Sequence, residues 1–135
     1  MKLLGLDVGD ARIGLAVADT GRPFAFGRGW IKRVTCEDDV AAVIKKAQEE
    51  EAEMIVIGLP LRTGGDEGEQ AAKVRRLAKR LQEAGLRVEF ADERFTTRLA
   101  SQRLSHLPRR KRQEKGRLDE AAAVAILETY LERLA

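Results

Sequence analysis

The run KLLGLDVGDARIGLAVA, residues 2–18, decides the fold. Residues 2–8 are apolar and stop at Gly9-Asp10, a turn signal, which predicts a buried strand. Residues 12–18 predict a second strand, and the short punctuation between the two predicts an antiparallel hairpin. Strand alternation then separates two faces. Leu4, Leu6 and Val8 with Ile13, Leu15 and Val17 make a bulky one. Leu3, Gly5 and Asp7 with Gly14, Ala16 and Ala18 make a smaller one with a carboxylate at its end.

Outward from this hairpin, residues 24–34 predict a third strand, with Gly27 and Gly29 suggesting a bulge or a close approach. Residues 37–52 predict a helix, with Val40, Val43, Ile44 and Ala47 at helical spacing. The continuous apolar run EMIVIGL, residues 53–59, has the pattern of a strand covered on both faces. A glycine-rich loop follows over 60–68. The next helix reaches about residue 84, with Ala71, Val74, Leu77, Ala78 and Leu81 as its stripe and Gly85 as its C-terminal cap. Residues 86–91 predict a fifth strand, and 96–104 and 118–134 two further helices. Three antiparallel strands followed by βα units predict an α/β fold, a mixed five-stranded sheet with helices on both faces.

Composition bounds the function. The 135 residues predict one domain, 1–135, large enough for a single core. One cysteine, Cys36, excludes an intrachain disulfide framework and suits a reducing compartment, so a cytoplasmic protein is expected. One histidine, His106, excludes a His-rich metal site and leaves little material for a Ser-His-Asp triad. No apolar run is long enough for a membrane span, so no membrane partner is expected. Aromatic residues are 4% of the chain, a poor supply for stacking unpaired bases. The net charge of +3 hides an asymmetry: residues 98–117 carry +7 and the remainder −4. The centre of that window, Pro108-Arg109-Arg110-Lys111-Arg112, lacks apolar periodicity and reads as a basic loop able to neutralise phosphates.

The chemistry has to come from carboxylates. Asp7 sits near the end of an apolar strand, where an ionised group is costly unless paired or bound to a cation. Asp92-Glu93 follows the fifth strand, at the edge where open α/β sheets place ligands. Asp119 opens the last helix on the side of Ala122, Ala123, Ile126, Leu127 and Tyr130, so it points inward, and the alanines allow close approach to the sheet. Each acid has a plainer explanation alone, as a turn aspartate or a first-turn helix acid. Together, acids from a first strand, a fifth strand end and a last helix can converge on one sheet edge. Clustered carboxylates suit Mg²⁺ or Mn²⁺, and two such ions serve phosphodiester hydrolysis. The arrangement predicts a metal-dependent nuclease whose basic segment holds a polyanion.

These residues also resemble a known family. Leu4-Gly5-Leu6-Asp7-Val8-Gly9-Asp10-Ala11-Arg12-Ile13-Gly14-Leu15-Ala16 is similar to the opening motif of the YqgF (RuvX-type) family. So are Ile57-Gly58-Leu59-Pro60-Leu61, Asp92-Glu93-Arg94-Phe95-Thr96-Thr97, and Asp119 with Ala122-Ala123, Ile126-Leu127 and Tyr130-Leu131. The four motifs span essentially the whole chain in the expected order. The resemblance implies an RNase H-like fold and a nuclease that matures the 5′ end of the 16S ribosomal RNA precursor; a Holliday junction resolvase in DNA recombination is the alternative it carries. It implies an acidic set of Asp7, Glu93 and Asp119 holding Mg²⁺ or Mn²⁺, with Asp92 as a substitute or helper. Asp7 would bridge or hold the ions from the most rigid strand, and Glu93 and Asp119 would each bind one and orient the attacking water. Arg12, Arg94, Arg98, Arg109, Arg110, Lys111, Arg112, Lys115 and Arg117 would hold phosphates. Thr96 and Thr97 read as helix caps before they read as phosphate donors. One stretch departs from the family: the loop after the GLP motif reads Arg62-Thr63-Gly64-Gly65-Asp66, where many relatives carry an acid.

Two readings from other classes stand beside the nuclease. The first motif also resembles the phosphate-binding hairpin of the actin and sugar-kinase ATPases, but those clamp a nucleotide between two such domains. The basic segment serves equally a non-catalytic transcription or ribosome-assembly factor. Ribosomal particles are a further expected partner. Structured RNA such as the 16S precursor and branched DNA are the two expected substrates, with recognition by shape and backbone. A resolvase needs a two-fold dimer for two symmetric cuts, whereas an RNA-processing enzyme can act as a monomer.

Overall fold

The computed structural model describes residues 1–62, 64–92, 108, 114 and 116–134. Five strands, β1 (Lys2–Val8), β2 (Arg12–Asp19), β3 (Ala25–Lys32), β4 (Met54–Leu59) and β5 (Val88–Asp92), form one sheet in the order β3-β2-β1-β4-β5. β1 pairs antiparallel with β2, and β2 with β3; β1–β4 and β4–β5 are parallel. Helices α1 (Cys36–Glu49), α2 (Glu69–Glu83) and α3 (Arg117–Leu134) complete the described elements. The mixed five-stranded sheet follows the sequence expectation, including the irregularity in β3, where the register with β2 shifts between Gly14 and Ala16. The expected helix at 96–104 lies outside the described residues.

Local chemistry sets the ends of the helices. The Thr35 hydroxyl accepts from the Asp38 amide and caps α1. That helix stops three residues short of the expected end, because Glu51 turns to a φ of 55°. At the end of α2, Gly85 takes a φ of 95° and donates to the Gln82 carbonyl, while Leu86 donates to the Leu81 carbonyl. This is the glycine-capped Schellman ending that the sequence expects at Gly85.

The two hairpin faces bury different partners. Leu4, Leu6, Val8, Ile13 and Leu15 pack with Val43 and Ala47 of α1 and with Val74, Leu77 and Leu81 of α2. The smaller face, through Leu3, Ala16 and Ala18 with Met54, Val56 and Ala91, packs against Ala123, Ile126, Leu127 and Leu131 of α3. Helices therefore cover both faces, as expected. The burial of α3 is wider than the single stripe its spacing suggests, since Ala121 and Ala125 are buried too.

Small residues let α3 sit unusually close to the sheet. A Cβ on Gly14 would fall well inside contact distance of the Asp119 carbonyl and 2.8 Å from the Glu120 amide nitrogen. The atoms nearest a Cβ on Gly5 would be Cγ and the two Cδ of the Leu127 side chain. Backbone cannot give way as a leucine rotamer can, so Gly14→Ala should cost more than ~2 kcal/mol and exceed Gly5→Ala. Urea unfolding of the two variants measures the difference, and equal midpoints would contradict the close seat at Gly14.

Candidate active site

Asp7 is the penultimate residue of β1, and its antiparallel partner in β2 is Gly14. Paired residues project to the same face of a sheet, here the face under α3. Asp119, two residues into α3, lays its backbone directly over Gly14. Its carboxylate lies above the turn after β1, with Oδ1 3.6 Å from where a Cβ on Gly9 would stand. Its other oxygen, Oδ2, accepts from Arg12 Nε at 2.8 Å. Asp7, Arg12 and Asp119 are thus brought to one sheet edge from opposite ends of the chain. The Arg12–Asp119 pair is only partly screened by solvent, with side chains 34% and 21% exposed, so each fixes the other's orientation more than a surface pair would.

Asp92 ends β5 and pairs with Leu59 of β4, two strands away from Asp7. In β5, Val88 and Phe90 pack on the α1–α2 side and Ala91 on the α3 side. Alternation therefore assigns Asp92 to the face opposite Asp7 and Asp119. Glu93, Arg94, Arg98, Arg109, Arg110, Lys111, Arg112 and Lys115 lie outside the described residues. Among the described residues, no group of three or more His, Cys, Asp or Glu side chains could hold a metal ion. Asp7 and Asp119 supply two carboxylates at one edge, and such oxygen donors fit a hard divalent cation.

Arg117, one of the expected phosphate ligands, is engaged within the protein. Its guanidinium donates to Glu114 Oε2 at 2.6 Å and Glu120 Oε1 at 2.7 Å, and lies over the Trp30 ring at 5.6 Å. Glu120 in turn accepts from the Gly29 amide at 2.6 Å. The bond to Glu114 leads, with that to Glu120, in holding the Arg117 pKa above its ordinary value against the effect of burial. These contacts fasten the first turn of α3, and with it Asp119, to β3.

A second support has no counterpart among the residues singled out from the sequence. Asp39 is 2% exposed, the one buried charged residue among those described. Its carboxylate accepts from Arg33 Nε at 3.0 Å and from the Val34 amide at 3.0 Å. Arg33 Nη1 donates to the Gly9 carbonyl at 2.8 Å, and the Arg33 amide donates to the Ala11 carbonyl at 2.9 Å. The turn that follows Asp7 is therefore clamped from β3 and α1. The sequence does carry a signal for it: Asp39, Val43 and Ala47 recur every four residues on the buried side of α1.

Sequence comparisons agree on one family, and structural comparisons on the fold. The family model described as "RuvX: Holliday junction resolvase" matches residues 1–133. A Thermus thermophilus protein named "Putative pre-16S rRNA nuclease" is 52% identical over 133 residues, covering 98% of each chain. The Deinococcus radiodurans protein named "Ribonuclease YqgF" is 44% identical over 131 residues, 97% of this chain and 88% of that one. Among solved structures, T. thermophilus RuvC in complex with a Holliday junction superposes with a TM-score of 0.62 at 18% identity, covering 99% and 96% of the two chains. The fowlpox virus resolvase bound to Holliday junction DNA gives 0.63 at 12% identity and 99% coverage of both. These structural neighbours share the RNase H-like fold, as the sequence motifs imply.

The commitment of Arg117 to its acids has a measurable consequence. Arg117→Gln removes charge-assisted bonds to Glu114 and Glu120 and should lower stability by about 1–3 kcal/mol in urea unfolding. An unchanged unfolding midpoint would contradict a supporting role for these bonds.

Proposed function

The chain belongs to the RuvX family, and from that premise we propose that it is a divalent-metal-dependent endonuclease acting on phosphodiester bonds. The observation that carries the proposal is the seat of Asp119 over Gly14, which sets its carboxylate on the edge and face of Asp7. Asp7 and Asp119, with Glu93 as the third donor offered by the sequence, would hold Mg²⁺ or Mn²⁺. When bound, such ions supply an activated water and stabilise charge on the leaving oxygen.

The chain's own residues do the rest. Arg12 holds the Asp119 carboxylate in one orientation, which keeps that donor from turning to solvent. Arg33 and Asp39 hold the turn beyond Asp7, so the β1 end is a rigid platform. Arg117, committed to Glu114 and Glu120, positions α3 and is not assigned a phosphate. Arg94, Arg98, Arg109, Arg110, Lys111, Arg112 and Lys115 remain as the cations for the substrate backbone. The assignment of Asp92 to the opposite face favours Glu93 over Asp92 as the donor from that strand end.

The substrate we favour is structured RNA, namely the 16S ribosomal precursor processed at its 5′ end, in the cytoplasm. The support is the naming of relatives 52% and 44% identical to this chain as a pre-16S rRNA nuclease and a ribonuclease. Resolution of a four-way DNA junction is the second reading, supported by the family description and requiring a two-fold dimer.

An end-labelled precursor RNA and a four-way DNA junction, each incubated with Mn²⁺ or Mg²⁺ and with chelator, test both readings. Cleavage should depend on metal and fall by more than ~100-fold in Asp7→Asn and in Asp119→Asn, beyond the loss typical of an outer-shell partner. Preferential cutting of the RNA supports the first substrate, and of the junction the second. Nucleic-acid binding without cleavage in the parent would instead point to a non-catalytic factor.

A further inference from the structure

The groove between the start of α1 and the flank of α2 carries a concentration of positive charge outside the edge described above. It is lined by Arg33, Lys73, Arg76, Lys79 and Arg80 over a floor of Leu77 and Cys36, with Glu83 as its single acid. Arg33 is already engaged by Asp39 and the Gly9 carbonyl. The exposed Arg76, Lys79 and Arg80 form no ion pair among the described residues, and Glu83 pairs with none of them. The far flank of the same helix behaves differently: Arg75 is bonded to Glu67 and lies over the Phe90 ring.

Spacing makes Arg76 the unfavourable position of the isolated helix. Lys73 has Glu69, and Lys79 and Arg80 have Glu83, at helical spacing, whereas Arg76 has no acid there. Lys73 and Arg76, and Arg76 and Lys79, are three apart, and Arg76 and Arg80 are four apart, so like charges neighbour one another along one strip. Surface helices ordinarily offset cations with acids at these spacings, and like pairs there are destabilising. A polyanion laid along the strip would relieve that repulsion. The strip also leads to the proposed active edge. Gln70 donates to Asp10 Oδ1 at 3.4 Å, and Lys73 Nζ lies 3.9 Å from the same oxygen, in the turn that follows Asp7. From Lys73 to Arg80 the helix advances ~10 Å, about three nucleotide steps measured along a duplex axis.

We propose that the α1–α2 groove is a second nucleic-acid contact, in which Arg76, Lys79 and Arg80 hold the phosphates of a substrate strand extending away from the cleavage edge. The proposal rests on the nuclease reading for its substrate class but not on turnover. A backbone contact of this kind positions the substrate and carries no sequence preference.

The test is salt-dependent binding of a fluorescein-labelled RNA hairpin with a 20-base-pair stem, measured by anisotropy in the Asp7→Asn background with chelator present. Each phosphate that a cation neutralises contributes about 0.7–0.9 to the slope of log Kobs against log salt. The triple variant Arg76→Gln, Lys79→Gln, Arg80→Gln should therefore reduce that slope by about 2 to 2.7. A control triple, Lys45→Gln, Arg87→Gln, Arg133→Gln, removes the same net charge from exposed positions outside the groove and should leave the slope as it was. The single variant Arg76→Gln should lower the slope by about 0.7–0.9, which keeps the test decisive should the triple fold poorly. Equal slopes for groove and control variants would overturn the proposal. An unchanged slope with loss of binding to phosphatidylserine vesicles would assign the groove to an anionic membrane and overturn it equally. Failure of the parent protein to bind the hairpin would sink both readings, whereas a groove effect without metal-dependent cleavage would sink the nuclease alone.

Discussion

The contact between the backbone of Asp119 and Gly14 is the constraint on which the rest of the structure depends. A helix normally stands off a sheet by the length of the side chains between them. Here the first turn of α3 rests on β2 with nothing between, because position 14 has no Cβ to obstruct it. The consequence is chemical as well as steric. Gly14 pairs with Asp7, so the element that touches Gly14 delivers its own carboxylate to the place where β1 ends in one. Leu127 over Gly5 and the buried alanines of α3 extend the same close packing along the helix.

Bringing two carboxylates together costs energy that the surroundings must offset. Arg12 supplies a cation to Asp119, and the Arg33–Asp39 pair secures the adjoining turn. Arg117 and Glu120 tie the helix start to Trp30 and Gly29 at the sheet's outer strand. Among the described residues, Arg12 is engaged by Asp119, Arg33 by Asp39, and Arg117 by Glu114 and Glu120. The strip on α2 differs, since Arg76, Lys79 and Arg80 form no ion pair among the described residues.

Much of this is legible in the sequence, for identifiable reasons. The hairpin of β1 and β2 can be read because its alternation is strict, and alternation alone separates the small face carrying Asp7 from the bulky one. The glycine cap of α2 and the uninterrupted apolar run of β4 are equally direct. Asp119 is legible as an inward acid because it shares a stripe with Ala123, Ile126 and Leu127. Arg117 is not legible as a structural residue, since a basic side chain beside a basic loop reads as part of it; its acids are close in sequence, but Trp30 is not. Asp39 is hidden because a charged residue at the start of a helix has an obvious dipole role, and its partner Arg33 comes from just past the end of β3. The basic strip on α2 is hidden because its charges are dispersed among apolar residues and gather only when the helix is wound. The two-strand separation of Asp92 from Asp7 depends on strand order, which local sequence does not encode.

Manganese binding by calorimetry tests the central claim most directly, because it reads the site without substrate. If Asp7 and Asp119 form one cation site only through the close seat of α3 on Gly14, placement matters as much as ligand identity. The parent should bind Mn²⁺, while Asp7→Asn, Asp119→Asn and folded Gly14→Ala should each weaken binding by at least about 10-fold. Gly14→Ala leaves every ligand in the chain and alters only their placement. Mn²⁺ binding by that variant as tight as the parent's would contradict the claim.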